Sequence, residues 1–432
     1  MSKLIGIRRE DKNIWERRVP LIPRHVEILK KEHDIQTRLQ PFPARAFSDD
    51  EYKAIGAEIN EDLTPCQTIL AVKEIPTPFL IANRTYLFFS HTIKGQSHNM
   101  PLLQKMLDLQ CTLIDYECIK DDQGRRLVFF GRFAGLAGMI DTLHAFGQRL
   151  KGRGLDTPFA QIRPTYEYSS LQEAKKHLRE IGNQIKRTGF PALLAPLVVG
   201  ITGYGHVSQG AQEILDLFPV KEISPKQLFS LKAENPRTLY KVVFKEEHTV
   251  QPIDPGHRFD LQDYYQHPEK YRSAFERYVP YLTILVNGIY WDPRYPRLIS
   301  KKYLRENYWQ QNRLQVIGDI SCDINGSIEC TEKVTESHNP AFVYNPLSDT
   351  IVDGFAGNGI TVIAVDNLPS ELPRDASESF SEALYRFIPE IVNADMTVPF
   401  EKCALPPEIK RAVIVYNGEL TPDYRYLQEH LG

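Results

Sequence analysis

Two short segments of the 432-residue chain carry ionisable side chains just past apolar, strand-like runs. In Val72-Lys73-Glu74-Ile75-Pro76 a lysine and a glutamate follow one such run, and Phe88-Phe89-Ser90-His91-Thr92-Ile93-Lys94 repeats the design one strand later. In a parallel α/β sheet ligands gather at the carboxyl ends of the strands, so two neighbouring strands would deliver Lys73 and His91 to one rim. A lysine and a histidine can share acid and base work when burial or a nearby cation lowers the lysine pKa. Spacing alone leaves a second reading open, two solvated strand ends. Asp115-Tyr116-Glu117, after a third apolar run, adds carboxylate able to tune such a pair. Glu16-Arg17-Arg18 precedes a helix-like segment, and an arginine there can grip a carboxylate with two parallel hydrogen bonds.

A different chemistry is written at Gly203-Tyr204-Gly205-His206-Val207-Ser208. The first glycine suits a tight turn, and the second lets a pyrophosphate approach the backbone at the start of the following helix. Ser208 stands where a third glycine is usual, a departure its small size allows. The apolar run Leu193–Ile201 before the turn and the helix-like Ala211–Phe218 after it supply the context a dinucleotide site needs. Glu222 ends the next short apolar run and is placed to hold ribose hydroxyls, which would favour NAD. Lys221 beside it would instead suit a 2′-phosphate, so NADP(H) and NAD(H) both stay open.

Elements of the right kind surround these residues. Strands are predicted at Leu4–Arg8, Thr68–Val72, Thr85–Phe89 and Thr112–Tyr116, with helices at Pro23–Glu32 and Pro101–Asp108. Apolar residues at spacings of three and four predict a long helix over Ala134–Leu150, whose glycines suit close packing or a hinge. A polar helix over Ser170–Lys186 follows, then strands at Val220–Ile223, Leu282–Val286, Leu314–Ile320 and Phe342–Tyr344. A helix over Ser377–Ile391, a strand at Ala412–Tyr416 and a terminal helix close the chain and need a sheet to pack on. The expectation is an α/β protein of two Rossmann-like domains with parallel sheets. The outer, discontinuous domain takes residues 1–134 and 366–432, and the dinucleotide-binding domain takes 135–365.

Composition narrows the partners. The 52 basic and 55 acidic side chains leave a net charge of −3, too balanced for a nucleic-acid or membrane surface. The apolar stretch Leu193–Ile201 is far shorter than the ~20 residues that span a bilayer. No signal or transit segment is visible, and the expected compartment is the cytoplasm. The six cysteines form no C-x-x-C pair and the twelve histidines no H-x-x-x-H pair, so reduced thiols and no metal are expected.

Together the motifs resemble the alanine dehydrogenase and saccharopine dehydrogenase superfamily, over nearly the whole chain. Within it the chain looks most like the lysine–2-oxoglutarate reductase half of the bifunctional aminoadipic semialdehyde synthases. The carriers of that resemblance are Arg8-Arg9-Glu10-Asp11, Trp15-Glu16-Arg17-Arg18, Phe88 to Lys94, Gly203 to Gln212 and Asn287-Gly288-Ile289-Tyr290-Trp291. Lys73-Glu74-Ile75-Pro76, Asp121 to Arg126 and Asp366-Asn367-Leu368-Pro369-Ser370 are shared with single-function saccharopine dehydrogenases, and Asp319-Ile320-Ser321-Cys322-Asp323 with alanine dehydrogenases. The resemblance implies that Lys73 and His91 are the acid–base pair, Glu74 and Glu117 tune it, and Arg18 meets a substrate carboxylate. It implies reductive condensation of L-lysine with 2-oxoglutarate to saccharopine, whose three carboxylates call for cations, with Lys94 and Arg132 joining Arg18. Asp323 and Asp366 stand as further substrate-binding candidates, and Gly203, Gly205, His206, Val207, Ser208 and Glu222 as cofactor contacts. An alanine-type amino-acid dehydrogenase and a non-catalytic nucleotide-binding regulator are the alternatives. The oligomeric state is not readable.

Overall fold

The computed structural model of the chain describes residues 3–232, 235–311 and 313–431. It divides into two compact units, Met1–Phe130 with Pro373–Gly432, and Gly131–Leu372. The first break falls at the start of the long glycine-bearing helix. The second falls at Pro373 because the turn Leu368–Glu371 packs on that helix and stays with the second unit.

In the first unit the strands are β1 (Lys3–Ile7), β2 (Ile35–Leu39), β3 (Glu58–Ile59), β4 (Thr68–Leu70), β5 (Thr85–Phe88) and β6 (Thr112–Asp115). The C-terminal segment adds β17 (Val413–Tyr416) and β18 (Glu419–Leu420). They form one sheet in the order β3-β2-β1-β4-β5-β6-β17-β18, parallel up to β6 and antiparallel beyond it. Every residue of β4, β5 and β6 is buried, as strands covered on both faces require. Helix α1 (Pro23–His33) opens with proline in its first turn and stops at Asp34, whose φ of 53° is left-handed. Helix α2 (Asp49–Ala54) starts on a reciprocal Ser48–Glu51 capping box, and α3 (Met100–Asp108) links β5 to β6. The expected helix over 377–391 is two, Pro373–Leu384 and Ile388–Asn393, because Pro389 brings no N–H and starts a new first turn. The terminal helix is a 3₁₀ segment, Pro422–His430.

The second unit contains α4 (Gly131–Gly152), α5 (Leu171–Thr188) and α6 (His206–Leu215). Its strands are β7 (Leu197–Thr202), β8 (Val220–Glu222), β9 (Leu239–Phe244), β10 (Val250–Pro252), β11 (Tyr271–Ser273), β12 (Ile284–Asn287), β13 (Val316–Asp319), β14 (Ala341–Asn345), β15 (Thr350–Asp353) and β16 (Ile360–Ile363). The main sheet runs β8-β9-β7-β12-β13-β16-β14-β15, and β10 pairs with β11 apart from it. The glycines of α4 and α6 serve close packing. A Cβ on Gly135 would stand 1.9 Å from the Val207 carbonyl oxygen, and one on Gly210 would stand 2.1 Å from that of Arg132. The two helices touch backbone to backbone, and no larger residue fits.

Both sheets contain a point where the strand order reverses, β1 beside β4 in one and β7 beside β12 in the other. Loops leaving the two strands of such a pair diverge and open a crevice at their carboxyl ends. Among the described residues no helix is long and apolar enough to cross a membrane, and no cluster of His, Cys, Asp or Glu is arranged to hold a metal.

Candidate functional site

In the first unit the reversal point brings together the loop after β1, which carries Glu10 to Arg18, and the loop after β4, which carries Lys73 and Glu74. Lys73 is half-buried. Burial, and then the charges of Arg18 and Lys12, lower its pKa, against the pull of Glu16 and Glu74. The ladder between β4 and β5 continues into the loops, since Phe89 N–H donates to the Val72 carbonyl at 3.1 Å. His91 therefore emerges next to Lys73. It holds a left-handed φ of 54°, uncommon for a histidine. The strain is contained on both sides. Ser90 donates its N–H to Asp115 Oδ2 at 2.9 Å and its hydroxyl to the same oxygen, and Asn99 Nδ2 donates to the His91 carbonyl at 2.8 Å. Asp115 is fully buried and pushed up to about 6 by that burial.

His91 Nε2 lies 3.9 Å from Glu74 Oε2, and Glu74 Oε1 accepts from Lys12 Nζ at 2.7 Å. Burial pushes Glu74 up, but the hydrogen bond and charge of Lys12, with His91, leave it below the usual carboxylate range. The His91 imidazole is lowered by burial and by Lys73, while Glu74 and Glu117 pull the other way. Glu117 is paired with Arg126. An amine and an imidazole that both lose protons more readily than in water, with two carboxylates beside them, have the make-up of a proton-transfer pair.

Arg18 is no solvent-facing cation. It is 2% exposed, its Nε donates to Glu16 Oε1 at 2.8 Å and its Nη2 to Glu16 Oε2 at 2.5 Å, and its guanidinium lies 4.1 Å above the Phe130 ring. Lys94 is exposed in the turn after His91. Lys12, Glu10 and Glu16 were missed as site members. The signal lay in the same charged stretch that carries Arg18.

In the second unit the turn after β7 has the form the fingerprint requires. Gly203 has a φ of 84°, which glycine alone adopts without cost, and Gly205 is the N-cap of α6 with no side-chain cap. A Cβ on Gly205 would meet nothing within 4 Å. His206 is exposed and Val207 half-buried, whereas Ser208 is buried and accepts from Gln212 Nε2 at 3.0 Å. A cavity of about 340 Å³ opens beside the turn, lined by Gly203, Gly205, Lys245, Glu246, Gly288 and Tyr265 among others. A helix start with no side-chain cap, an unfilled glycine face and this cavity fit a dinucleotide. Beneath it, Thr202 Oγ1 donates to Asn287 Oδ1 at 2.7 Å, and Asn287 Nδ2 donates to Asp319 Oδ1 at 2.9 Å and Ser327 Oγ at 2.8 Å. That buried network ties together the ends of β7, β12 and β13.

Glu222 does not reach this place. β8 is the edge strand, and Glu222 lies level with Lys241 and Val199, whereas the rim is level with Phe244 and Thr202. Its carboxylate is 63% exposed and sits 3.1 Å from Lys241 Nζ. The strand beside β7 is β9, so Lys245 and Glu246 stand where the ribose contact was expected. Lys245 Nζ lies 5.8 Å from the Tyr204 ring centre, and Glu246 Oε1 accepts from the Tyr265 hydroxyl at 2.8 Å.

The remaining candidates belong to the second unit. Arg132 donates from Nε and Nη2 to Glu213 at 2.9 and 2.7 Å, and Lys175 also pairs with that carboxylate. Its guanidinium is thus engaged on α6 rather than held out for a ligand. Asp323 is half-buried in the loop after β13, and Asp366 is exposed after β16.

Residues 6–137 match the family model of the alanine dehydrogenase/PNT N-terminal domain, and residues 269–423 that of its C-terminal domain. The chain is 40% identical, over 98% of its length, to an alpha-aminoadipic semialdehyde synthase of Arabidopsis thaliana, of which it covers 41%. It therefore spans less than half of that relative. It is 26% identical to a saccharopine dehydrogenase (NAD(+), L-lysine-forming) of Emericella nidulans, over 79% of this chain and 80% of that one. The solved structure of an L-alanine dehydrogenase superimposes with a TM-score of 0.63 at 16% identity, covering 99% of this chain and 100% of the other, which shows a common fold. The N-terminal and C-terminal domain models of the alanine dehydrogenase/PNT family are thus both matched, and in that order, along the chain.

Proposed function

We propose that the chain is a nicotinamide-dependent oxidoreductase that condenses L-lysine with 2-oxoglutarate and reduces the product to saccharopine, reversibly. The observation that carries this reading is the corner of the first unit where Lys73 and His91, both lowered in pKa, meet with Glu74 against the imidazole. Forming an imine from an amine and a ketone needs one group to take protons from the amine and carbinolamine and another to help water leave. Lys73 and His91 divide those tasks. Glu74 and Glu117 moderate the charge that builds up on them, and Lys12 and Arg18 keep the Lys73 amine in a cationic environment. The names of the semialdehyde synthase and saccharopine dehydrogenase relatives support the substrates.

In the second unit Gly203, Gly205 and the first turn of α6 would hold the pyrophosphate, and the nicotinamide, when bound, supplies or accepts the hydride. Lys245 favours a 2′-phosphate at the rim of β9, so NADP(H) is the preferred cofactor. The partners are small molecules, with no nucleic acid and no membrane.

Nicotinamide absorbance tests the reading. Lysine plus 2-oxoglutarate should oxidise NADPH, and NADH more slowly, while pyruvate plus ammonia should oxidise neither. Turnover of pyruvate and ammonia alone would transfer the chain to the alanine type. Cofactor binding without turnover of any of these would make it a regulator.

A further inference from the structure

Glu10 lies in a motif that the acid–base reading leaves unused, and it is 5% exposed. Strand β1 ends at Ile7, and the last backbone contact it makes across to β4 is Arg8 N–H to the Leu70 carbonyl, at 2.9 Å. Beyond it the chain of β1 turns away, and the next N–H groups on that side of the β4 loop lose their strand acceptors. Buried N–H groups need partners. Glu10 supplies both: Oε1 accepts from Val72 N–H at 2.6 Å and Oε2 from Lys73 N–H at 3.0 Å. One carboxyl thus replaces a missing stretch of strand, at the residue whose side chain carries the amine.

We propose that Glu10 is a positioning residue for Lys73, its carboxyl clamping the two amides so that the Lys73 amine stays beside the guanidinium of Arg18 and the ammonium of Lys12. The proposal rests on reading Lys73 as a proton-transfer group. The groups facing the amine are Arg18, Lys12, Glu16, Glu74 and His91, and those facing Glu10 are Glu16, Arg18, Arg45 and Tyr116. Without the clamp the loop relaxes, the amine moves toward water, and it holds its proton more tightly. Glu10→Gln keeps length and volume, but where the carboxyl, neutral or ionised, turns an oxygen to each N–H, the amide sets its NH₂ against one of them.

The test is an NMR titration of the Lys73 side chain in protein carrying ¹³Cε-lysine, with the signal assigned through Lys73→Met. In Glu10→Gln the Lys73 midpoint should rise by about one pH unit, and kcat at neutral pH should fall roughly tenfold, one unit being tenfold in the free amine. KM and dinucleotide affinity should stay within about twofold. A folded variant with an unmoved Lys73 midpoint would overturn the proposal. Should the variant not fold, the native protein still decides. Burial and Glu16 hold Glu10 up at about 8, so the amide protons of Val72 and Lys73 should shift with the Glu10 carboxyl carbon as it ionises. Amides that ignore that ionisation would overturn the clamp. The midpoint is read without turnover, so a protein inactive with lysine and 2-oxoglutarate refutes the proposed reaction separately.

Discussion

Valine at Gly205 should abolish dinucleotide binding and leave the protein folded. The backbone there has φ −76° and ψ −169°, values open to any L residue, and a Cβ would meet nothing within 4 Å. Replacing glycine also reduces the freedom of the unfolded chain, which by itself stabilises by about 0.4–1 kcal/mol. The fold therefore has no reason to fail. The ligand does, because the open face that spares the fold is the face a pyrophosphate must approach at the start of α6. Losing two charge-assisted hydrogen bonds at about 1.5–3 kcal/mol each lowers affinity by roughly 10²–10⁴-fold. Calorimetric titration with NADPH and with NADH measures that loss, and a thermal melt checks the fold. Gly210→Val is the control in the opposite sense. Its Cβ would sit 2.1 Å from the Arg132 carbonyl oxygen, so α4 and α6 must separate and the melt should fall sharply. If Gly205→Val melts like the native protein and binds the dinucleotide normally, the pyrophosphate does not use this turn, and the cofactor assignment fails.

Lys73→Met and His91→Asn, the latter chosen because asparagine tolerates the left-handed backbone at 91, should each lower kcat by roughly 10²–10⁴-fold with dinucleotide affinity unchanged. The double variant should lose less than the product, and single variants with native kcat and raised KM would reduce both residues to substrate contacts. Glu371 is fully buried against Asp141, and burial, then that neighbour, hold its carboxyl well above the usual range. The unfolded chain ionises it first, so its contribution is complete at acid pH and is lost as pH rises from about 4.5, by about 1.4 kcal/mol per unit, until the folded carboxyl ionises too. Glu371→Gln, which never ionises, should be more stable than the native protein at neutral pH and gain further as pH rises. Parallel melting curves from pH 5 to 8 would refute it.

Local signals of sequence carried a good part of the architecture. Apolar runs ending in charged residues marked β4, β5 and β6, and the glycine turn between an apolar run and a helix marked β7 and α6. The three-and-four spacing of Ala134–Leu150 fell inside α4, and two of its glycines proved to be packing surfaces, because Gly135 and Gly147 face backbone rather than side chains. β9 went unseen. Its run Leu239-Tyr240-Lys241-Val242-Val243-Phe244 has a lysine at its middle, which reads as solvent-facing. In the fold Lys241 is only 5% exposed, and its ammonium is neutralised by Asp216 at 2.9 Å and Glu222 at 3.1 Å. A buried lysine with two carboxylate partners leaves no trace in a single strand's pattern, because both partners come from elsewhere in the chain.

The misplacement of Glu222 follows from the same cause. Chain order suggested that β8, the next strand after the turn, lies beside β7. The pairing instead puts β9 there, in register from Leu197 with Leu239 to Thr202 with Phe244, and sends β8 to the edge. Strand order is decided by long-range pairing and burial. β7 and β9 are buried almost throughout, whereas β8 exposes Lys221 and Glu222, so β9 gains more from the inner position. The same reasoning accounts for Glu10. Its motif is local, but its partners are the amides of a loop some sixty residues away, exposed only because β1 stops short beside β4. Residue type and spacing indicate which side chains sit at strand ends. Which strand ends are neighbours depends on the sheet, and in both units the candidate chemistry lies where the strand order reverses.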